Sequence, residues 1–176
     1  VKKYFQGYVS DVGNIGDILA GRLNLLTKSS TELAGVCVDN SGNTYVADAG
    51  QHIILKITDN GELLTLAGNA GSAGNNSDNE VTGINARFNY PTGICCGNNG
   101  ELYVCDTNNH QIRKISNNKV TLFAGDPAAA SGTADGTAAR FSSPYDIDID
   151  NSGNLYVADT GNHAVRKIDG NGSVLT

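Results

Sequence analysis

The string Tyr-Val-(Ala/Cys)-Asp, three further residues and then His occurs three times in this chain, within Asn43–His52, Glu101–His110 and Asn154–His163. Lys and Ile follow each copy at one offset, as Lys56-Ile57, Lys114-Ile115 and Lys167-Ile168. The histidines are separated by 58 and then 53 residues. A repeat of that period marks a propeller or a solenoid, because one unit cannot bury its own apolar face and has to stack on a neighbour.

Within a unit the apolar runs are short and turn residues punctuate them. In the first copy Gly35–Asp39 leads to the turn cluster Asn40-Ser41-Gly42-Asn43, then to Thr44–Asp48 and a second turn, Ala49-Gly50-Gln51. His52–Thr58 follows, then the hairpin signal Asp59-Asn60-Gly61 and a last run that closes on Leu66-Ala67-Gly68. Four strands joined by three tight turns form an antiparallel meander, the unit of a propeller blade. The composition agrees, with 22 Gly, no Met or Trp, and 17% charged residues. The reading is therefore all-β, a propeller of four-stranded blades over 34–68, 92–125 and 145–176. These follow an N-terminal segment, 1–33, in which Ile18-Leu19-Ala20-Gly21 resembles a closing strand. Three blades are too few to close a ring, since propellers hold four to eight. The expectation is completion by another chain, as a homo-oligomer or as a subunit of a larger particle, such as a virion, or a filament; a fragment of a longer chain is the third alternative.

Two long Gly-, Ala- and Asn-rich loops, 69–90 and 126–143, separate the blades. Both end alike, in Ala86-Arg87-Phe88 before Pro91 and Ala139-Arg140-Phe141 before Pro144. Loops this long usually bind something or pack over a neighbour. The repeated Phe reads as an inward anchor. Taken together, the Tyr-Val-Ala-Asp-x-x-x-His-x-(Ile/Val)-Arg-Lys-Ile core, the Ala-Gly close and the Ala-x-Phe-x-x-Pro start resemble the NHL repeat over Ala34–Thr176. Leu55 departs from it where the other copies have Arg113 and Arg166. The resemblance implies a β-propeller, most often six-bladed, with roles in protein binding, RNA binding or metal-dependent lyase chemistry.

Recurrence shapes how the polar residues are read. His52, His110 and His163 stand at equivalent points, and equivalent points of a propeller spread around a circle rather than converge. They are expected to bond backbone or a carboxylate between strands. Asp48, Asp106 and Asp159 recur likewise, and one hairpin brings Asp106 near Arg113 and Asp159 near Arg166, as blade staples. Tyr45, Tyr103 and Tyr156 are expected in the cores. The Asp39–Asn43 and Asp150–Asn154 stretches lack the twelfth-position Glu of a calcium loop and read as turns. Cys37 and Cys95 align with Asp148, Cys96 with Val38 and Ile149, and Cys105 with Ala47 and Ala158. Interchange of that kind is the behaviour of buried free thiols, so no disulfide is expected. No catalytic set, metal site or cofactor site is assigned.

A net charge of -6 repels phosphate backbones and argues against nucleic acid. No apolar run reaches the ~20 residues of a membrane span, and no signal-peptide core is evident, so a soluble or particle-associated chain is expected. The functional expectation is a non-enzymatic structural or protein-binding propeller module. Its rival is a metal-dependent lyase or hydrolase with its site in the propeller channel. The blades repeat closely whereas the loops differ, which places recognition on the loops. The expected assembly surface is Asn75, Asn76, Ala128, Ala129 and Ala130.

Overall fold

A computed structural model of the protein describes residues 32–76 and 80–176. The closing strand expected near residues 18–21 lies outside them. Three antiparallel sheets account for the three repeats. The first is β1 (Leu33–Val38), β2 (Thr44–Asp48), β3 (Ile53–Ile57) and β4 (Leu63–Gly68), paired in that order. A short β5 (Val81–Thr82) precedes the second blade: β6 (Pro91–Cys96), β7 (Leu102–Asp106), β8 (Gln111–Ser116) and β9 (Lys119–Ala124). The third holds β10 (Pro144–Ile149), β11 (Leu155–Asp159), β12 (Ala164–Ile168) and a two-residue β13 (Val174–Leu175). Among the described residues no helix is long and apolar enough to cross a membrane.

The second sheet has five strands rather than four, because β5 pairs with the outer strand β9 through Val81 and Val120. The preceding loop thus runs back along an edge that would otherwise present unpaired backbone groups. The third blade is treated similarly by a single bridge between Gly136 and Val174.

Alternation along each strand gives every blade a front, facing the next blade, and a back, facing the previous one. The front of the first blade (Tyr45, Ala47, Ile54, Ala67) shares one core with the back of the second (Ile94, Leu102, Val104, Ile115, Val120). The front of the second (Tyr103, Cys105, Ile112, Ala124) does the same with the back of the third (Ile147, Leu155, Val157, Ile168, Val174). Phe88 and Phe141 reach into these seams and are fully buried, so each loop is pinned inward as its sequence implied. Full burial of such a ring stabilises by about 1.5–3 kcal/mol. The inner strands meet closely: a Cβ on Gly35 would lie 2.2 Å from the Thr92 carbonyl oxygen, and one on Gly93 2.6 Å from Asp146 Cα. Glycine at these two places is a packing requirement.

The cysteines correct the sequence reading in part. Cys95 and Cys105 are free and buried, but Cys37 and Cys96 form a disulfide across the first seam. Alignment within the repeat hides this pair. Cys37 is on the front of β1 and Cys96 on the back of β6, so they meet only when one blade stacks on the next. Their Cα atoms are 6.1 Å apart and the bond closes a separation of 59 residues. In the chain-entropy account a loop of that length contributes about 4 kcal/mol.

Candidate interaction surface

The turn between the second and third strands of a blade carries the repeated histidine in left-handed backbone, at φ 60° for His52, 57° for His110 and 53° for His163. His tolerates that region better than most side chains. The geometry aims Nδ1 at the loop leading into the next blade. The Tyr90 N–H donates to His52 Nδ1 at 3.0 Å and the Ser143 N–H to His110 Nδ1 at 3.0 Å. Tyr90 and Ser143 are themselves left-handed, at φ 59° and 50°, and each stands directly before a proline. The residues before them donate to the repeated aspartates, Asn89 N–H to Asp106 Oδ1 and Ser142 N–H to Asp159 Oδ1, both at 2.7 Å. Histidine is therefore a clasp between blades rather than between strands of one blade. The imidazole of His163 meets no such donor among the described residues.

Beneath the clasp lies the ion pair. Arg113 Nη1 is 3.2 Å from Asp106 Oδ2 and Arg166 Nη1 is 2.9 Å from Asp159 Oδ2, with all four side chains at 0–1% exposure. Each guanidinium lies over the anchoring ring of its loop, 5.6 Å from Phe88 and 5.3 Å from Phe141. Arg166 extends to the loop itself through Asp135 Oδ1 at 2.6 Å and the Ala134 carbonyl at 2.7 Å. The first blade has Leu55 instead, and Asp48 Oδ1 accepts the N–H groups of Gln51 and Glu32 at 3.0 and 3.2 Å. Burial raises the Asp48 carboxyl despite these donors.

Burial likewise pushes Asp106 up to about 6, against the pull of Arg113, the Asn89 N–H and the Asn109 amide. The sign of the consequence follows from proton counts. Between the unfolded value of ~3.9 and about 6 the folded state binds more protons, so this group's contribution to stability falls as pH rises through that window. In urea, the wild-type midpoint should fall relative to that of Asp106→Asn from pH ~4 to ~6, with a constant gap above. A gap constant across the whole range would show an unshifted carboxyl.

The tyrosines divide. Tyr45 and Tyr103 are 7% and 6% exposed, whereas Tyr156 is 40% exposed. The expectation of a core position fails for Tyr156 because it lies on the front of the third blade, which no described element covers. Val165 is 68% exposed there, while its equivalents Ile54 and Ile112 are at 0%. Asp146 and Asp148 are also exposed on this blade's inner strand. The two candidate calcium stretches are side-chain-closed turns: Asp39 Oδ1 accepts the N–H groups of Ser41 and Asn43, and Asp150 Oδ1 those of Ser152 and Asn154, all at 2.9 Å.

The interblade loops are held by their own bonds. Asn75 Nδ2 donates to the Pro127 carbonyl at 3.0 Å and so ties the two loops together. Asn76 Oδ1 accepts the Arg87 N–H at 3.0 Å while its amide donates to the Asn85 carbonyl at 2.9 Å. Ala128 is exposed, and its N–H caps Asp126, which pairs with Arg140 at 2.9 Å. Ala129 takes left-handed backbone at φ 59°, and both it and Ala130 are half-buried. Among the described residues no group of three or more His, Cys, Asp or Glu side chains is placed to hold a metal ion.

Four-stranded blades stacked front to back with their inner strands together are a sector of a β-propeller. The NHL repeat family profile matches residues 88–115 and 141–168, the greater part of the second and third blades. NHL repeat-containing protein 2 of Gallus gallus is 37% identical over 143 residues, 74% of this chain and 19% of that protein. The chain belongs to the NHL-repeat family. It spans between 9% and 35% of the length of the curated relatives it matches. Among solved structures, a Bacteroides thetaiotaomicron protein of unknown function superposes with a TM-score of 0.64 at 28% identity, over 72% of this chain and 32% of that one. Virginiamycin B lyase from Staphylococcus aureus shares the propeller fold, with a TM-score of 0.61 at 17% identity over 85% of this chain and 42% of the lyase.

Proposed function

We propose that this chain is a non-enzymatic, protein-binding propeller module that assembles with itself or within a larger protein structure through its interblade loops. The observation that carries the reading is the use made of the repeated polar residues. Asp106, Asp159, Arg113, Arg166, His52 and His110 direct their polar groups into the fold, as staples and clasps. Two loops of different length and content ride on that rigid scaffold, which is the usual arrangement for recognition. Around Asn75, Asn76 and Ala128-Ala129-Ala130 they carry small side chains and amides already bonded within the loops, a surface of low charge suited to close protein packing.

The test is the variant Ala128→Glu/Ala129→Asp/Ala130→Glu, with Asp at the left-handed position because it tolerates that backbone. Sedimentation velocity should show assembly lost with the far-UV spectrum and melting temperature unchanged. Normal assembly by the variant would remove the loops from the contact. The rival reading, a metal-dependent lyase or hydrolase, is separated by metal analysis of the purified protein, since stoichiometric zinc or calcium supports it.

A further inference from the structure

We infer that Asn99 is a site of self-modification, at which the Asn99-Gly100 turn of the second blade converts to aspartate and isoaspartate. The step needs only water and hydroxide. The Gly100 backbone nitrogen gives its proton to solvent hydroxide and attacks Asn99 Cγ. A ring C–N bond forms, the bond from Cγ to the side-chain nitrogen breaks, and ammonia leaves. Water then opens the succinimide at either carbonyl, to give the normal or the iso acid with no change of oxidation state. Three Asn-Gly pairs occur in the chain, Asn60-Gly61, Asn99-Gly100 and Asn171-Gly172. Each tops a hairpin, with its glycine in left-handed backbone at φ 84°, 85° and 82°.

Their surroundings separate them. The Gly61 N–H donates to the Thr58 carbonyl at 2.8 Å, and Asn60 Oδ1 accepts from the Thr58 hydroxyl and, at 3.2 Å, from the Glu62 N–H. Gly172 is buried and its N–H donates to the Asp169 carbonyl at 3.0 Å. Gly100 is exposed, and its bond to the Gly97 carbonyl is the longest of the three, at 3.3 Å. The Asn99 side chain is exposed and meets no hydrogen-bond partner among the described residues. The repeat explains why this turn is loose. In the first and third blades the same turn holds Ser-Gly, and Asp39 or Asp150 closes it by accepting two N–H groups. Gly97 stands in the aspartate's place, and Glu101 Oε2 supplies a single bond instead, from the Asn99 N–H at 3.1 Å. With one carboxylate bond in place of two, the Asn99-Gly100 peptide turns more readily to bring its nitrogen toward Cγ. One net hydrogen bond of ordinary strength shifts such a local opening by roughly 2- to 10-fold.

The test incubates the full chain at mildly alkaline pH and maps its peptides by mass spectrometry with fragmentation that distinguishes isoaspartate. Methylation by an L-isoaspartyl methyltransferase gives a second readout of the iso product. Asn99 should convert roughly 2- to 10-fold faster than Asn60. Both are followed by Gly-Glu, so their rates should converge when the chain is unfolded in urea. Gly97→Asp with Glu101→Asn rebuilds the cap of the other blades and should slow Asn99 by a similar factor. A Cβ on Gly97 would lie 2.7 Å from Glu101 Cγ, on a flexible side chain that the second change shortens. Conversion at Asn60 or Asn171 that matches or outruns Asn99 in the folded chain overturns the proposal. So does a difference between Asn60 and Asn99 that persists in urea, or undiminished conversion in the folded, recapped variant. Should that variant not fold, the comparison of Asn99 with Asn60, folded and in urea, decides the matter alone.

Discussion

Tyr103→Ala is expected to lose about 3–5 kcal/mol of folding stability, whereas Tyr156→Ala loses under about 1 kcal/mol. The two residues occupy one repeat position and would be equals if repetition alone decided the outcome. Tyr103 is 6% exposed, meets Phe123 edge-on with ring centroids 4.9 Å apart, and carries Lys114 5.5 Å from its centroid. Its truncation opens a cavity in the core shared by the second and third blades. Tyr156 is 40% exposed, and its hydroxyl donates to Asp150 Oδ2 at 3.3 Å in water-accessible surroundings. Urea unfolding of both variants reads the difference. Equal large losses would mean that the front of the third blade is covered in solution.

Much of the fold was legible because the repeat displays its own periodicity. The Asx turns at Asp39 and Asp150, the hairpins, and the inward Phe anchors all depend on residues within a few positions of one another. What escaped the sequence depends on how blades stack. Cys37 and Cys96 pair because the front of one inner strand meets the back of the next, a relation that alignment of equivalent positions cannot display. The histidines bond backbone, as their recurrence implies, but which backbone is set by stacking for the same reason. The partner is an N–H 38 residues away for His52 and 33 for His110, on the neighbouring blade. One signal was present: the repeats of His52 and His110 are each followed by a loop ending in Phe-x-x-Pro, so clasp and anchor recur together. The β5 strand had no such cue, since Val81-Thr82 is too short for any pattern to register. Exposure of Tyr156 and Val165 reflects the front of the third blade, which no described residue covers, and is invisible to a reading that treats repeats as equivalent.

The sharpest energetic test concerns the staple that the first blade does without. Removing the guanidinium in Arg113→Ala leaves the Asp106 carboxylate buried with two neutral donors, the Asn89 N–H and the Asn109 amide, at 2.7 and 2.9 Å. The expected loss is about 3–5 kcal/mol, the usual consequence of stranding one charge of a buried pair. The pair itself is a weak source of stability, because desolvating two ions offsets most of their attraction. Both statements hold together only if removing both charges costs much less than removing one. The first blade supplies half of that change, with Leu55 at the arginine position and 5% exposed, while it keeps Asp48 buried on two backbone N–H groups. Arg113→Leu combined with Asp106→Asn should therefore recover most of the loss seen in Arg113→Ala, although the arginine's bond to the Arg87 carbonyl at 3.3 Å goes with it. A double-mutant cycle in urea measures the coupling. Additive and small single effects would show that the Asp106–Arg113 pair is solvated in solution, and the seam around Phe88 would then have to be wetter than its complete burial implies.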